Sequence, residues 1–428
     1  MKNLSKIKKN NLNIIQFLLS ITVLFDAING FIDMYTPGIL NNLIPILRIF
    51  LMIYIYICIS YFNRKNFYIV SVVLVISFIS ASLISFINQY SEFGYVFSDL
   101  IYITKINYYF VLVIFFMSIL EFVDLVWFES ILIRNSILMP FLIVLPKLAG
   151  LDRVTYEGSN LGSSGFFISN NATNIVMLCF CSFLIYYIFI NNKKNWIYSL
   201  LLIANLYCLW VQSSKTSIFM LFVFGCIILY LILLDLKSNL SLIKIFFFIV
   251  FLIVVTILIY MLFLNFSYVS EIFKDVVDPF LSRQQYQLRN QNSFLNYFSS
   301  GRFVFLNNSI QYFINSSNLF NFLFGMGESN ILLHVQKNAE MDIFDIFFIT
   351  GILGIMLSYG VSIYVIIKNK VLTSNRSAFT LIILLMLGFS IFAGHVYTDI
   401  ISSTFLALVL VLSIKKIKGE VNENTYDC

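Results

Sequence analysis

Charge is what this sequence has least of. Asp, Glu, Lys and Arg supply 11% of its 428 residues, where soluble globular domains carry roughly 25%. That shortage excludes an ordinary water-soluble fold, because too few polar side chains remain to cover a surface. Histidine is scarcer still, with only His334 and His395. No glycine-rich nucleotide loop, Walker motif or zinc-ligand spacing occurs, which argues against a nucleotide-driven pump and against a metal centre. No cofactor and no nucleic-acid partner is expected. Of the six cysteines, Cys58, Cys179, Cys181, Cys208 and Cys226 lie in apolar runs and Cys428 at the end of the chain. None suits a disulfide framework. Cys179 and Cys181, two apart, point to different helix faces and read as packing residues.

What is present is hydrophobic sequence, 60% of the chain, in runs long enough to cross roughly 30 Å of hydrocarbon as helices. The expected class is all-α polytopic. Twelve spans fit: 12 to 31, 38 to 61, 67 to 88, 99 to 120, 131 to 150, 172 to 190, 196 to 212, 217 to 235, 244 to 266, 343 to 367, 377 to 395 and 398 to 414. The basic N-terminus (Lys6, Lys8, Lys9) resembles that of a signal peptide. The run behind it is too long and lacks a small-residue cleavage pattern, so it reads as a retained first span. Residues 1–266 then carry spans one to nine, 267–342 form one large external loop, and 343–428 hold spans ten to twelve and a tail.

Seventeen of the 27 basic residues, among them Arg64, Lys65, Arg134, Lys193, Lys194, Lys237, Lys368 and Lys415, fall on the side of both termini. The positive-inside rule makes that side cytoplasmic and the long loop external. Glu121 to Ser136 reads alternatively as a surface helix. Two further external segments emerge, a Gly/Ser-rich stretch from Leu151 to Asn171 that suits close backbone approach, and the turn Ser213-Ser214-Lys215-Thr216. In the long loop Phe294, Leu295, Phe298, Phe303, Leu306, Ile310, Phe313 and Ile314 recur at helical spacing and predict amphipathic helices on the outer membrane face.

Ionisable groups at membrane depth are functional candidates by default. Asp26, Arg48, Lys105 and Lys147 qualify, and each is equally explained by an ion pair or by snorkelling. On the external side Lys215 and Arg153 sit in short segments, where Lys215 could meet a lipid phosphate or be an ordinary interfacial lysine. Arg283, Arg289 and Arg302 lie in the long loop, and guanidinium groups grip phosphate oxygens bidentately. A solvated helix face explains Arg283 and Arg289 as well; Arg302, after Gly301, is the stronger functional residue. His395 and His334 are possible bases near neutral pH, or a packing and a surface residue. Glu340, Asp342 and Asp345 precede the tenth span, where they would cap a helix or bind acceptor hydroxyls.

Four short motifs together resemble a known family: Ser213-Ser214-Lys215-Thr216, Ser300-Gly301-Arg302, Phe324-Gly325-Met326-Gly327, and Glu340 through Gly354, with Ala393-Gly394-His395 as a fifth. The chain resembles the Wzy-type O-antigen and capsule polymerases and, more distantly, the O-antigen ligases. These are multi-span glycosyltransferases of the outer face of the bacterial inner membrane. The resemblance implies a polymerase that moves a growing glycan from undecaprenyl pyrophosphate onto a new lipid-linked repeat unit. A chain-length regulator and a flippase would be its partners. It implies Arg302, with Lys215 and Arg289, at the leaving pyrophosphate, and His395 or Glu340 at the acceptor hydroxyl. The ligases carry a His-Asn pair about eleven residues before the Gly-x-x-Gly; here Glu340-Met341 stand there, which favours polymerase over ligase. A flippase, an acyltransferase or a sensor are rival classes. A folded external loop of about seventy residues has little use in alternating access.

Overall fold

The computed structural model describes residues 5–36, 43–88, 92–156, 161–190, 196–235, 301–316, 318–369, 371 and 378–424. Nine helices come first: α1 Lys6–Ser20, α2 Thr22–Tyr35, α3 Leu43–Phe62, α4 Arg64–Ile87, α5 Phe93–Ile119, α6 Leu125–Ala149, α7 Asn170–Ile185, α8 Trp196–Gln212 and α9 Lys215–Asp235. After the segment 236–300 follow α10 Arg302–Ser316, α11 Leu319–Phe324, α12 Glu328–Val335, α13 Asp342–Ile355, α14 Val361–Lys368, α15 Ala378–Ala393 and α16 Ile400–Asn424. A two-stranded antiparallel hairpin, β1 Val154–Tyr156 and β2 Leu161–Ser163, lies between α6 and α7.

Among the described residues six helices are long and apolar enough to cross a membrane, seven when the bent pair α1 and α2 counts as one span, and four shorter apolar helices join them. Eleven of the twelve expected spans coincide with helices; the ninth, 244 to 266, lies outside the described residues.

The outward faces are apolar. On α4 the exposed residues Val72, Val75, Ile76, Ile79, Leu83 and Phe86 form one stripe at helical spacing, the pattern of a helix side turned to hydrocarbon. By contrast α5 and α7 are buried nearly all round. The first packs on α3, α4 and α16, and the second on α8, α15 and α16. Interhelical polar contacts tie this interior, as membrane bundles require. Tyr109 shares a hydrogen bond of 2.6 Å with Ser362, and Ser362 one of 2.8 Å with Tyr397.

The sequence reads its first span as one helix, but it bends by 49° at Ile21. The cause is Asn135, which is fully buried. Its amide donates to the Leu19 carbonyl at 2.8 Å and its oxygen accepts from the Val23 N–H at 3.2 Å, so a side chain inserts into the helical ladder. Two further corrections follow from α6. It runs unbroken from Leu125, so no separate surface helix ends at Ser136. Arg134, counted with the cytoplasmic loops, lies within α6 and reaches Ser20 Oγ at 3.5 Å.

The Gly/Ser-rich stretch forms the β1–β2 hairpin in place of a plain turn, and its glycines do bring backbones together. A Cβ on Gly162 would lie 2.2 Å from the Gln212 carbonyl oxygen, and one on Gly165 would lie 2.2 Å from that of Leu142. In α10 the stripe Leu306, Ile310 and Phe313 is the inward one, whereas Phe303 and Ile314 face out. The Phe313 ring meets Phe347 and Phe348 at 5.3 and 5.4 Å, which docks α10 on the start of α13. Phe294, Leu295 and Phe298 lie outside the described residues.

Helix α13 breaks at Gly351, whose φ of 64° and ψ of −158° are not helical. A break frees carbonyls that hydrocarbon cannot satisfy. The Phe324–Gly327 segment supplies the missing donors. Met326 N–H donates to Phe348 at 2.9 Å and Gly327 N–H to Ile349 at 3.1 Å. Gly325 is indispensable to this approach, since a Cβ there would fall 2.2 Å from the Ile349 oxygen.

Candidate functional site

Four ionisable side chains converge where α10 begins, where α12 hands over to α13, and where α15 hands over to α16. Arg302 is the first residue of α10, placed there by Gly301, whose φ of 85° suits glycine. Its Nη2 lies 3.4 Å from Glu340 Oε2, and Nη1 donates to the Phe392 carbonyl at 3.5 Å. Its Nε is buried with no hydrogen-bond partner among the described residues, and such orphans call for an explanation. On the other carboxylate oxygen, Lys337 Nζ lies 2.9 Å from Glu340 Oε1. That ammonium also sits 5.0 Å from the Phe305 ring centre, so α10 and the α12–α13 connection share one cation.

Burial pushes the Glu340 pKa up, but the Lys337 hydrogen bond and charge, then the charges of His395 and Arg302, outweigh it and hold the carboxyl below its ordinary value. A carboxylate held ionised is a poor base at neutral pH. Glu340 is therefore better suited to aim Arg302 and Lys337 than to remove a proton. His395, close enough to bear electrostatically on Glu340, is left as the candidate base.

Backbone strain gathers at these turns. Among the described residues the non-glycine positions with positive φ are Ser213, Gln336, Glu340 and His395. Two of the four carry the site's side chains, and left-handed conformations held against their cost cluster at functional sites. Gly394, at φ 64°, lets the two turns touch, since a Cβ on it would lie 2.5 Å from the Glu340 carbonyl oxygen.

Asp342 holds the second turn in place. Its carboxylate accepts from the backbone N–H groups of His395 at 2.7 Å, Val396 at 2.6 Å and Tyr397 at 2.9 Å, and from Thr398 Oγ1 at 2.9 Å. Three successive N–H groups make a nest for an anion, and here the anion is internal. Asp345 reaches back to the N–H groups of Ala339 at 2.9 Å and Met341 at 3.1 Å, as the acid of a capping box does. Both acids, weighed from the sequence as substrate ligands, have their oxygens engaged in building the site.

The described partners of Arg153 and His334 lie outside this cluster. Arg153 forms an ion pair with Asp33 of α2. Lys215 opens α9, where Ser214 and Ser217 cap each other and Asn174 donates to Ser214 Oγ at 2.9 Å. His334 is exposed in the last turn of α12; its ring stacks on Tyr312 with centres 4.6 Å apart, and its Nδ1 meets the Asn330 carbonyl at 2.9 Å. Arg283 and Arg289 lie outside the described residues. Sequence reasoning missed Lys337 as a site residue, although its place three residues before Glu340 is the spacing of a helical ion pair. Arg48 of α3 is paired with Asp26 of α2, the ion-pair alternative for that residue. Among the described residues no group of three or more His, Cys, Asp or Glu side chains suits a metal ion. Compared with family models, with curated proteins and with solved structures, the chain matches none of them.

Proposed function

We propose that this chain is a polysaccharide polymerase of the bacterial cytoplasmic membrane. It would have twelve spans, cytoplasmic termini and an external site built on the long loop, and it would join repeat units linked to undecaprenyl pyrophosphate. The observation that carries the reading is the cluster of Arg302, Lys337, Glu340 and His395. Three separate stretches of sequence supply it, and one guanidinium donor, Arg302 Nε, is buried with no partner among the described residues.

Glycosyl transfer from a lipid pyrophosphate needs two services. The hydroxyl of the incoming unit attacks the anomeric carbon of the growing glycan and gives up its proton. As the new C–O bond forms, the bond to the pyrophosphate oxygen breaks and that oxygen leaves with the electron pair. Arg302 and Lys337, held forward by Glu340, meet the developing charge. His395 takes the proton. Lys215, with Arg283 and Arg289 of the loop, remains a candidate for further phosphate or glycan contacts, whereas Arg153 is engaged by Asp33, and lipid tails would enter laterally between spans.

The test is the surface glycan of a deletion strain, complemented with wild type, Arg302→Ala or Arg302→Lys. Collapse of a ladder to a single attached repeat unit, rescued by wild type and by neither variant, supports the reading, because lysine lacks the guanidinium fork. Loss of all attached glycan while polymer still accumulates on the lipid carrier makes the chain a ligase. An unchanged ladder overturns both.

A further inference from the structure

A second polar site lies inside the bundle. α2, α3, α5, the segment entering α7, and the start of α16 line a half-open cavity of ≈ 240 Å³. Its wall carries Asp26 and Asn29 from α2, Arg48 from α3, Lys105 from α5, and Asp399 just before α16. Arg48 and Asp26 are paired, yet Asp26 Oδ2 and Asn29 Oδ1 are buried acceptors without a hydrogen-bond partner among the described residues. Lys105 makes no hydrogen bond or ion pair among the described residues. A buried acceptor left unmade is costly, and so is a cation at membrane depth. Residues carrying donors and acceptors thus line one space, alongside the Tyr108 and Phe167 rings.

Charge and size decide what fits. Two cations face two carboxylates, so the lining is balanced and has no surplus with which to hold an anion. Drug-sized sites run to roughly 300–1,000 Å³; this cavity is smaller and suits one ring. A neutral ligand with many hydroxyls, each able to donate and accept, matches carboxylate, amide and ammonium groups together, while the rings offer a surface to its C–H face. Asp399 also ends the turn 394–398 whose backbone N–H groups hold Asp342, so the cavity and the Arg302 cluster are built on opposite ends of one turn.

We propose that this cavity is a subsite for a single neutral monosaccharide unit, contacted by Asp26, Asn29, Arg48, Lys105 and Asp399. The substrate class rests on the glycan-transferring reading above, whereas the binding test does not need turnover. The experiment is saturation-transfer NMR on the purified full chain in lipid nanodiscs, with the methyl glycosides of glucose, galactose, mannose and N-acetylglucosamine. Methyl glucuronide and inorganic pyrophosphate serve as anionic probes. The expected result is saturable transfer from at least one neutral glycoside, weakened about tenfold by Lys105→Met and by Asn29→Leu, the loss of one good hydrogen bond each. Thermal unfolding of each variant shows that the fold survives, and Arg302→Ala keeps the signal. Binding of the anionic probes alone, a neutral-sugar signal indifferent to both variants, or no saturable signal would overturn the inference. Sugar binding beside an unchanged surface ladder would sink the polymerase reading and leave the subsite standing; a collapsed ladder without sugar binding would do the reverse.

Discussion

Asp342 Oδ1 accepts the backbone N–H of His395 at 2.7 Å, so the first residue of α13 fixes the turn that carries the site's imidazole. Replacing Asp342 by Asn keeps the shape, removes the charge and turns one acceptor into a donor facing N–H groups. The expected cost is about 2–3 kcal/mol, since hydrogen bonds to a charged group are worth 1.5–3 each. Thermal unfolding in detergent measures it, and glycan polymerisation should fail even where the protein still folds. A variant of wild-type stability would mean that the nest does not hold the turn.

Gly394 and Gly388 make a matched pair. Alanine at Gly394 meets a φ of 64° and a Cβ position 2.5 Å from the Glu340 oxygen, while at Gly388, inside α15, nothing lies within 4 Å. Gly394→Ala should cost at least the ~1–3 kcal/mol of a strained left-handed residue. Gly388→Ala should be neutral or stabilising by up to about 1 kcal/mol. Equal melting temperatures for the two would contradict the contact between the turns.

Glu340 sets a pH dependence whose sign follows from its lowered pKa. Its carboxylate binds fewer protons in the folded than in the unfolded chain. The stability it adds is therefore fully present above the ordinary glutamate pKa of about 4.3 and is lost as pH falls through the lower folded value. The difference between wild type and Glu340→Gln should persist from neutral pH down to about 5 and close below about 4. Partial exposure of the pair keeps that difference below about 1 kcal/mol. A gap that closes near neutral pH would instead make Glu340 a titrating base.

The break in α13 offers another test. Gly351→Ala would place a Cβ 2.5 Å from Leu323 and Phe324 backbone atoms, displacing the segment that satisfies Phe348 and Ile349. Hydrogen exchange at Met326 and Gly327 should rise by at least about tenfold, one lost hydrogen bond's worth.

Arg153→Ala should do little. Its partner Asp33 is partly exposed, and such pairs are worth about 0–1 kcal/mol, so near wild-type melting and polymerisation are expected. A complete loss of polymer would restore Arg153 to the working site.

The all-α membrane class, helices at eleven of the twelve expected spans and the amphipathic period of α10 were legible in the sequence, because hydropathy and helical period are local properties of consecutive residues; that the α10 stripe packs on α13 instead of lying on a membrane face was not. The bend at Ile21 was not, since its cause, Asn135, is more than a hundred residues away and no local pattern announces the insertion. The same holds for the charges. Position in the chain and the family resemblance make Arg302, Glu340 and His395 candidates, but they cannot say that Lys337 joins them, that Asp342 turns inward to hold the His395 backbone, or that Arg48 pairs with Asp26. Which ionic groups are free to act depends on which others fold against them. In a low-dielectric interior that pairing decides whether a charge is structural or available, and only the tertiary structure makes it.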